Sequence, residues 1–473
     1  MFASWHNSRG KQGNNQKSIY GIDKMEEACG VFGVYAPGQD LFRVTNFALY
    51  ALQHRGQESA GIALSDGQNI HLKKGQGLVA EVFPRLQGGP KGVDANGALG
   101  HVYYSARGKA RPENAQPLLV RYRQGNLAVA YNGNVINAGE LREKLEKEGS
   151  IFQTMTDSEL LAHLIARSGH SKLESALQSV LPALHGAYSF LFLAEDRLIG
   201  LRDPYAMRPL SLGRWQGHYV LASETCAFDT IGAEIIRDVR PGEMVVISKE
   251  GLQSIQVLPS SRTALCVFEF IYFARPDSDI HGKNVHLVRK RLGRLLAREH
   301  PVQADLVTGV PDSSLAAATG FAEELGLPYE MGLIKNRYIG RTFIQPDQEI
   351  RDIGVQLKLN PIQQVVQGKK VVVVDDSIVR GTTSKKLVNM FVQAGAKEVH
   401  LRIGSPPIIC PCCYGIDTPE RSELIGAQRQ VEEIRQKIGA TSLQYLSRLG
   451  MLKAVGLPPD SLCMACFSGE YPL

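Results

Sequence analysis

The chain has 473 residues, 44% hydrophobic and 21% charged, which at roughly 150 residues per domain allows two to four domains with cores of their own and excludes fibrous and disordered classes. Lys and Arg number 53 against 47 Asp and Glu, a formal +6, a mild excess that suits phosphate-bearing small ligands as well as nucleic acid and selects neither. No stretch approaches the ~18 apolar residues of a membrane span, the polar first 28 residues lack the apolar segment of a secretory signal, and eight cysteines are too dilute for a disulfide scaffold.

A cytoplasmic address with reduced thiols is therefore expected, and clustered cysteines then point to metal or catalysis. Residues 1–28, rich in Gly, Asn, Gln and Ser, carry no helical or strand period and read as a leader. From 29 to 258 short β runs (30–35, 127–131, 188–193) alternate with helical ones over 138–147 and 157–166, the second with Asp157 at its N-cap. Strands and helices come in groups, which favours a layered α+β domain. Pro259, Ser260 and Ser261 read as a linker to a second domain, 259–473. There an apolar strand at 304–307 leads through a polar loop into an Ala-rich helix ending at Gly326. A second apolar strand, 371–374, leads into a helix where Leu387/Phe391 and Val388/Val392 pair at i, i+4 before Gly395. Strand, polar loop and helix, repeated, spell a parallel α/β sheet.

The sharpest motif is VVVVDDSIVRGTT at 371–383. A buried strand delivers Asp375 and Asp376 to the carboxyl end of the sheet, where open α/β sheets bind ligands. The loop that follows carries Ser377, Arg380, Gly381, Thr382 and Thr383 and opens a helix, whose backbone N–H groups can hold a phosphate. Carboxylates repel phosphate, so the aspartates suit sugar hydroxyls or a phosphate-bound Mg2+. The string resembles the phosphoribosylpyrophosphate (PRPP) motif of type I phosphoribosyltransferases. That resemblance implies Asp375 and Asp376 under the ribose hydroxyls and 377–383 around the 5-phosphate. It also implies a pyrophosphate loop at 308–314, with Thr308, Ser313 and Ser314, and one Mg2+ bordered by Ser314, Asp375 and Asp376. Lys335 and Arg337 then fall in a lid over PRPP, 335–343, where three cations around a glycine suit pyrophosphate.

A second constellation starts at Cys29. It is followed by GVFGV, then QHRGQESAG (53–61), YNGN (131–134) and TDSE (156–159). Together these resemble an N-terminal-nucleophile glutamine amidotransferase domain of αββα architecture. If the leader is cut after Ala28, Cys29 gains an α-amine of pKa ~7.7–8.0, close enough to neutrality to activate its own thiol. The resemblance implies an oxyanion hole at Asn132 and the Gly133 N–H, Asp157 on the glutamine α-ammonium, and Arg55 closing the site. One position departs: the family strand reads Gly-His-Val-Arg-Tyr, its Arg pairing with the glutamine carboxylate, whereas this chain has Tyr103. Tyrosine cannot replace a bidentate guanidinium, which leaves Arg107 and Arg111 as candidates.

Cysteine supplies a third constellation: Cys463 and Cys466 as CxxC, Cys410, Cys412 and Cys413 some fifty residues earlier, and Cys266. Such a set makes a zinc site, which spacing alone favours, an iron–sulfur cluster, or neither. Cys226 reads as core.

Both halves, in this order, resemble the glutamine PRPP amidotransferase family, with support from RDPYAMRPL (202–210), ASET (222–225) and FEFIYFARPDS (268–278). The branch with a leader also carries a [4Fe–4S] cluster, on cysteines matched by Cys266, Cys412, Cys463 and Cys466; Cys410 and Cys413 are then bystanders, with a swap for Cys412 left open. The resemblance implies glutamine-dependent formation of 5-phosphoribosylamine in purine synthesis, AMP and GMP as feedback inhibitors, and a homotetramer. Two alternatives stand: an ammonia-only phosphoribosyltransferase, which Tyr103 permits, and a purine-sensing regulator of phosphoribosyltransferase fold, against which no helix-turn-helix pattern is found.

Overall fold

The structure is a computed structural model that describes residues 29–84, 93–104, 111–260, 262–336 and 358–473. The expected leader, Arg107, and the lid from Arg337 onward lie outside the described residues.

The first unit is built on strands buried on both faces. Gly30–Tyr35 and Gly186–Leu193 are buried at every position, so they read as continuous apolar runs rather than alternating ones. Each is central to an antiparallel sheet. One has seven strands, ordered Glu234–Asp238, Ser211–Trp215, His218–Ala222, Gly30–Tyr35, Gly97–Tyr103, Ser59–Ser65 and Ile70–Gln76. The other has six, ordered Gly251–Gln256, Glu243–Ser248, Arg197–Arg202, Gly186–Leu193, Gly125–Val135 and Leu118–Tyr122. Val31, Leu99, Leu191 and Leu221 fill the space between the sheets. Outside, Leu41–Ala51 and Cys226–Ile231 cover the first sheet, and Asp157–Arg167 and Leu173–Val180 the second. This is the expected αββα sandwich. Burying each large apolar side chain contributes about 1.5–3 kcal/mol.

The second unit carries a four-stranded parallel sheet, Leu306–Gly309, Lys370–Asp375, Glu398–Ile403 and Ser442–Tyr445. Alternation along a strand sends Val372 and Val374 into one core, with Leu292 and Phe321, and Val371 and Val373 into the other, with Leu387 and Phe391. Helices Val285–Glu299 and Leu315–Leu325 cross at two glycines: a Cβ on Gly293 would sit 1.8 Å from the Ala317 carbonyl oxygen, and one on Gly320 2.0 Å from that of Lys290.

Two local expectations are corrected. The helix at 157 is capped by Thr156, with Asp157 its first residue, because the Asp157 carboxylate is engaged by the Val135 N–H at 2.8 Å. The first parallel strand starts at Leu306 rather than 304. Val392 is exposed, since only the Leu387, Val388 and Phe391 side of that helix meets the sheet. Pro259 and Ser260, in the expected linker, are exposed. No helix among the described residues is long and apolar enough to cross a membrane.

Candidate active sites

Cys29 stands immediately before Gly30–Tyr35, 6% exposed, its Sγ 3.5 Å from the Tyr104 carbonyl oxygen. Burial pushes the thiol up to about 12; Glu58 adds to this, while the Cys29 backbone, Arg55 and Arg208 work against it. Such a thiol needs a base. On Gly125–Val135, Asn132 is fully buried, and among the described residues neither its amide oxygen nor its nitrogen has a partner. An unsatisfied buried polar group costs about 1–3 kcal/mol. The Tyr131 N–H goes to Gln116 Oε1 at 3.1 Å and the Val135 N–H to Asp157 Oδ2 at 2.8 Å. By strand alternation the Gly133 N–H between them faces the same side. Gly133 has φ +136°, and a Cβ there would lie 2.0 Å from the Ala187 carbonyl oxygen, so no other residue fits. Burial, then the charges of Asp157, Tyr103 and Cys29, push the Tyr131 phenol up, which puts these groups in one neighbourhood.

Arg55 sits differently from the expectation that it closes over glutamine. It is 1% exposed. Its guanidinium forks onto Glu269 at 2.9 and 3.0 Å, donates to Glu224, and sends Nε to the Cys29 carbonyl at 3.3 Å. These donors hold the Cys29 backbone and tie it to the second unit. Glu224 also accepts from Ser278 Oγ and, at 2.9 Å, from the Arg275 N–H. Burial works against its charge, but His54 and Arg55 outweigh it and hold the carboxyl well below the usual range. Sequence reasoning missed Glu224, Glu269 and Arg208; an acid inside the apolar run VFEFIYF was the available signal. Tyr103 ends its strand half-buried. Arg111 is exposed, beside Glu113 at 3.9 Å.

In the second unit Asp375 and Asp376 stand at the carboxyl end of Lys370–Asp375, 2% and 4% exposed. Hydroxyls from both loops converge on them: Ser314 on Asp375 at 3.2 Å, Ser377 on Asp376 at 2.7 Å, and Ser313 on Asp376. Two carboxylates among hydroxyls form a hard oxygen donor set that fits Mg2+. Gly381 caps helix Thr382–Gln393 at φ +81°, and Thr383 is buried in its first turn, so a phosphate fits at this N-terminus. Lys335 reaches Asp312, in the 308–314 loop, at 2.7 Å. Arg380 pairs with Glu423 at 2.7 Å, and the Thr308 hydroxyl accepts the Gly332 N–H at 3.1 Å.

The cysteines converge at the seam between the units. Cys266 and Cys463 are register partners in a parallel two-strand pair, Leu265–Cys266 with Leu462–Cys463. The Ile409 and Cys410 N–H groups both donate to the Cys466 carbonyl, at 2.9 and 3.2 Å. Burial, then the neighbouring Cys266, Cys463 and Cys412, raise the Cys466 thiol; burial pushes Cys463 up to about 11. All are free thiols. No group of three or more His, Cys, Asp or Glu side chains among the described residues is arranged to hold a single metal ion. Cys463, which is buried, and Cys266, Cys412 and Cys466, which are half-buried, nevertheless have the donor chemistry of a thiophilic cluster. Cys226 is core, its Sγ directed at the Ala51 carbonyl.

A glutamine amidotransferase domain model matches residues 106–230. The chain is 52% identical over 456 residues to the amidophosphoribosyltransferase of Bacillus subtilis (strain 168), covering 95% of each. It is 48% identical over 454 residues to that of Archaeoglobus fulgidus, covering 94% of this chain and 98% of the relative. Two solved structures align over 94% of the chain at 52% identity. The allosteric regulatory enzyme of purine biosynthesis gives a TM-score of 0.90 over 96% of its chain. The PRPP amidotransferase from B. subtilis, complexed with ADP and GMP, gives 0.89 over 97%. Identity at this level through both units and the seam leaves no room for a regulator built on one of them: the chain belongs to the amidophosphoribosyltransferase family.

Proposed function

We propose that this enzyme converts PRPP, glutamine and water to 5-phosphoribosylamine, glutamate and pyrophosphate, the committing step of purine synthesis, in the cytoplasm. The observation that carries the reading is the orphaned Asn132 amide beside the Gly133 N–H, in a chain that also cages two carboxylates at a sheet edge. After removal of residues 1–28, the α-amine of Cys29 takes the thiol proton and Sγ attacks the glutamine amide carbon. Asn132 and the Gly133 N–H stabilise the oxyanion, ammonia leaves, and water hydrolyses the thioester to glutamate. Asp157 binds the α-ammonium.

Ammonia free in water is protonated and loses its nucleophilicity, so it passes between the sites inside the protein and displaces pyrophosphate at C1 of the ribose. Asp375 and Asp376 orient the ribose, the 377–383 loop fixes the 5-phosphate, and Ser313, Ser314 and Lys335 hold the pyrophosphate. A Mg2+ bordered by Ser314, Asp375 and Asp376 supplies charge neutralisation for the leaving group. Cys266, Cys412, Cys463 and Cys466 would hold a [4Fe–4S] cluster, which when bound would supply a structural cross-link. Purine nucleotides act as feedback ligands, as AMP and GMP, and the enzyme assembles as a homotetramer.

The Cys29→Ala protein tests the reading. Glutamine-dependent PRPP consumption disappears while ammonia-dependent consumption remains; loss of both contradicts two separable sites.

A further inference from the structure

The strand that carries the oxyanion donors is gripped by the second unit. Asn134 Nδ2 donates to the Cys413 carbonyl at 2.9 Å. Gly415, at φ +98°, lies so close that a Cβ on it would sit 2.8 Å from Gly133 C and 3.0 Å from Gly133 O. Between them, the Tyr414 carbonyl accepts from Arg208 Nη2 at 2.6 Å. Three consecutive residues of the cysteine loop thus grip the first unit by hydrogen bonding and backbone packing. The opposite edge of the strand is fixed by Gly186–Leu193, with Asn132, Gly133 and Asn134 opposite Ser189, Tyr188 and Ala187. Asn132 and Asn134, two apart, point to one face, so the Cys413 bond acts on the same side as the orphaned amide.

We propose that residues 413–415 are a positioning element of the glutaminase half-reaction. Asn134 takes its place from the Cys413 carbonyl, and Gly415 sets how far the Gly133 peptide can shift. The oxyanion donors of the first unit are then aimed by a segment 279 residues away in the chain. The inference rests on the proposed roles of Asn132 and Gly133. It adds that neither is correctly placed by its own domain alone. Asn134 is the positioning residue: it touches neither substrate nor Cys29 and works through the strand.

The test compares Asn134→Asp, which keeps the shape but sets an acceptor against the Cys413 carbonyl, with Asn134→Ala and with Gly415→Ala, whose methyl meets the Gly133 peptide. Each is measured with glutamine, with ammonia, and by iodoacetamide labelling of Cys29, which needs no oxyanion hole. Misplacing such donors lowers the glutamine kcat by ~10- to 100-fold, with KM within about twofold. Ammonia-dependent turnover and Cys29 labelling stay at parental rates. Variants with parental glutamine kcat overturn the inference and leave the functional reading intact. An equal fall with ammonia, or a loss carried wholly by KM, overturns it as well. A parent that turns over ammonia but never glutamine overturns both.

Discussion

A thiol pushed up to about 12 by burial is almost wholly protonated at neutral pH, and reactivity follows the thiolate. Because the shift is upward, alkylation of Cys29 in the chain still carrying residues 1–28 should climb with every rise in pH and reach no plateau below about pH 10. Once the α-amine is freed, the profile should show a midpoint near the amine's own ~7.7–8.0. Identical profiles before and after cleavage would contradict the amine as base. Tyr103 is the other decisive residue. The absent guanidinium removes a charge-assisted bond of ~1.5–3 kcal/mol to the glutamine carboxylate, and Arg111 lies outward beside Glu113. Tyr103→Arg should lower the glutamine KM by roughly tenfold or more while leaving the ammonia rate alone; an unchanged KM would show that another group already holds the carboxylate.

The elements were legible where local pattern and burial agree. Val371 to Val374, all apolar, read as a strand covered on both faces, and Gly381 followed by Thr382 and Thr383 as a helix start, which the fold has at both places. Gly381 has φ +81°, so an alanine there costs about 1–2 kcal/mol in the left-handed region; its Cβ would also come within 2.9 Å of Ile425 Cδ1. Gly381→Ala is expected to lower the melting temperature and to raise the KM for PRPP, with the glutamine KM unmoved; a PRPP KM equal to the parent's would detach this loop from the 5-phosphate. Other parts were not legible, because partners distant in sequence decide them. Arg55 looked like a glutamine ligand until Glu224 and Glu269, 169 and 214 residues away, took its donors. The Arg380–Glu423 pair likewise joins residues distant in sequence.

Across the whole molecule the seam joins the two chemistries. Glu269 of the second unit holds Arg55 and so the backbone of Cys29, Arg208 of the first reaches the Tyr414 carbonyl, and the cysteines gather beside them. A cluster on Cys266, Cys412, Cys463 and Cys466 would fasten this seam, and protein purified without oxygen should then be brown, with about four irons per chain. Colourless protein with stoichiometric zinc would overturn the cluster and leave the thiols a zinc site. The central claim, that one chain releases ammonia at Cys29 and uses it at Asp375 and Asp376, is tested most directly by PRPP consumption after residues 1–28 have been removed, with glutamine and with ammonia in parallel. Turnover with both nitrogen sources, and pyrophosphate released in step with glutamate when glutamine is the donor, is the predicted result. Turnover with ammonia alone would contradict it, leaving a working synthase whose glutaminase fails at the position of Tyr103.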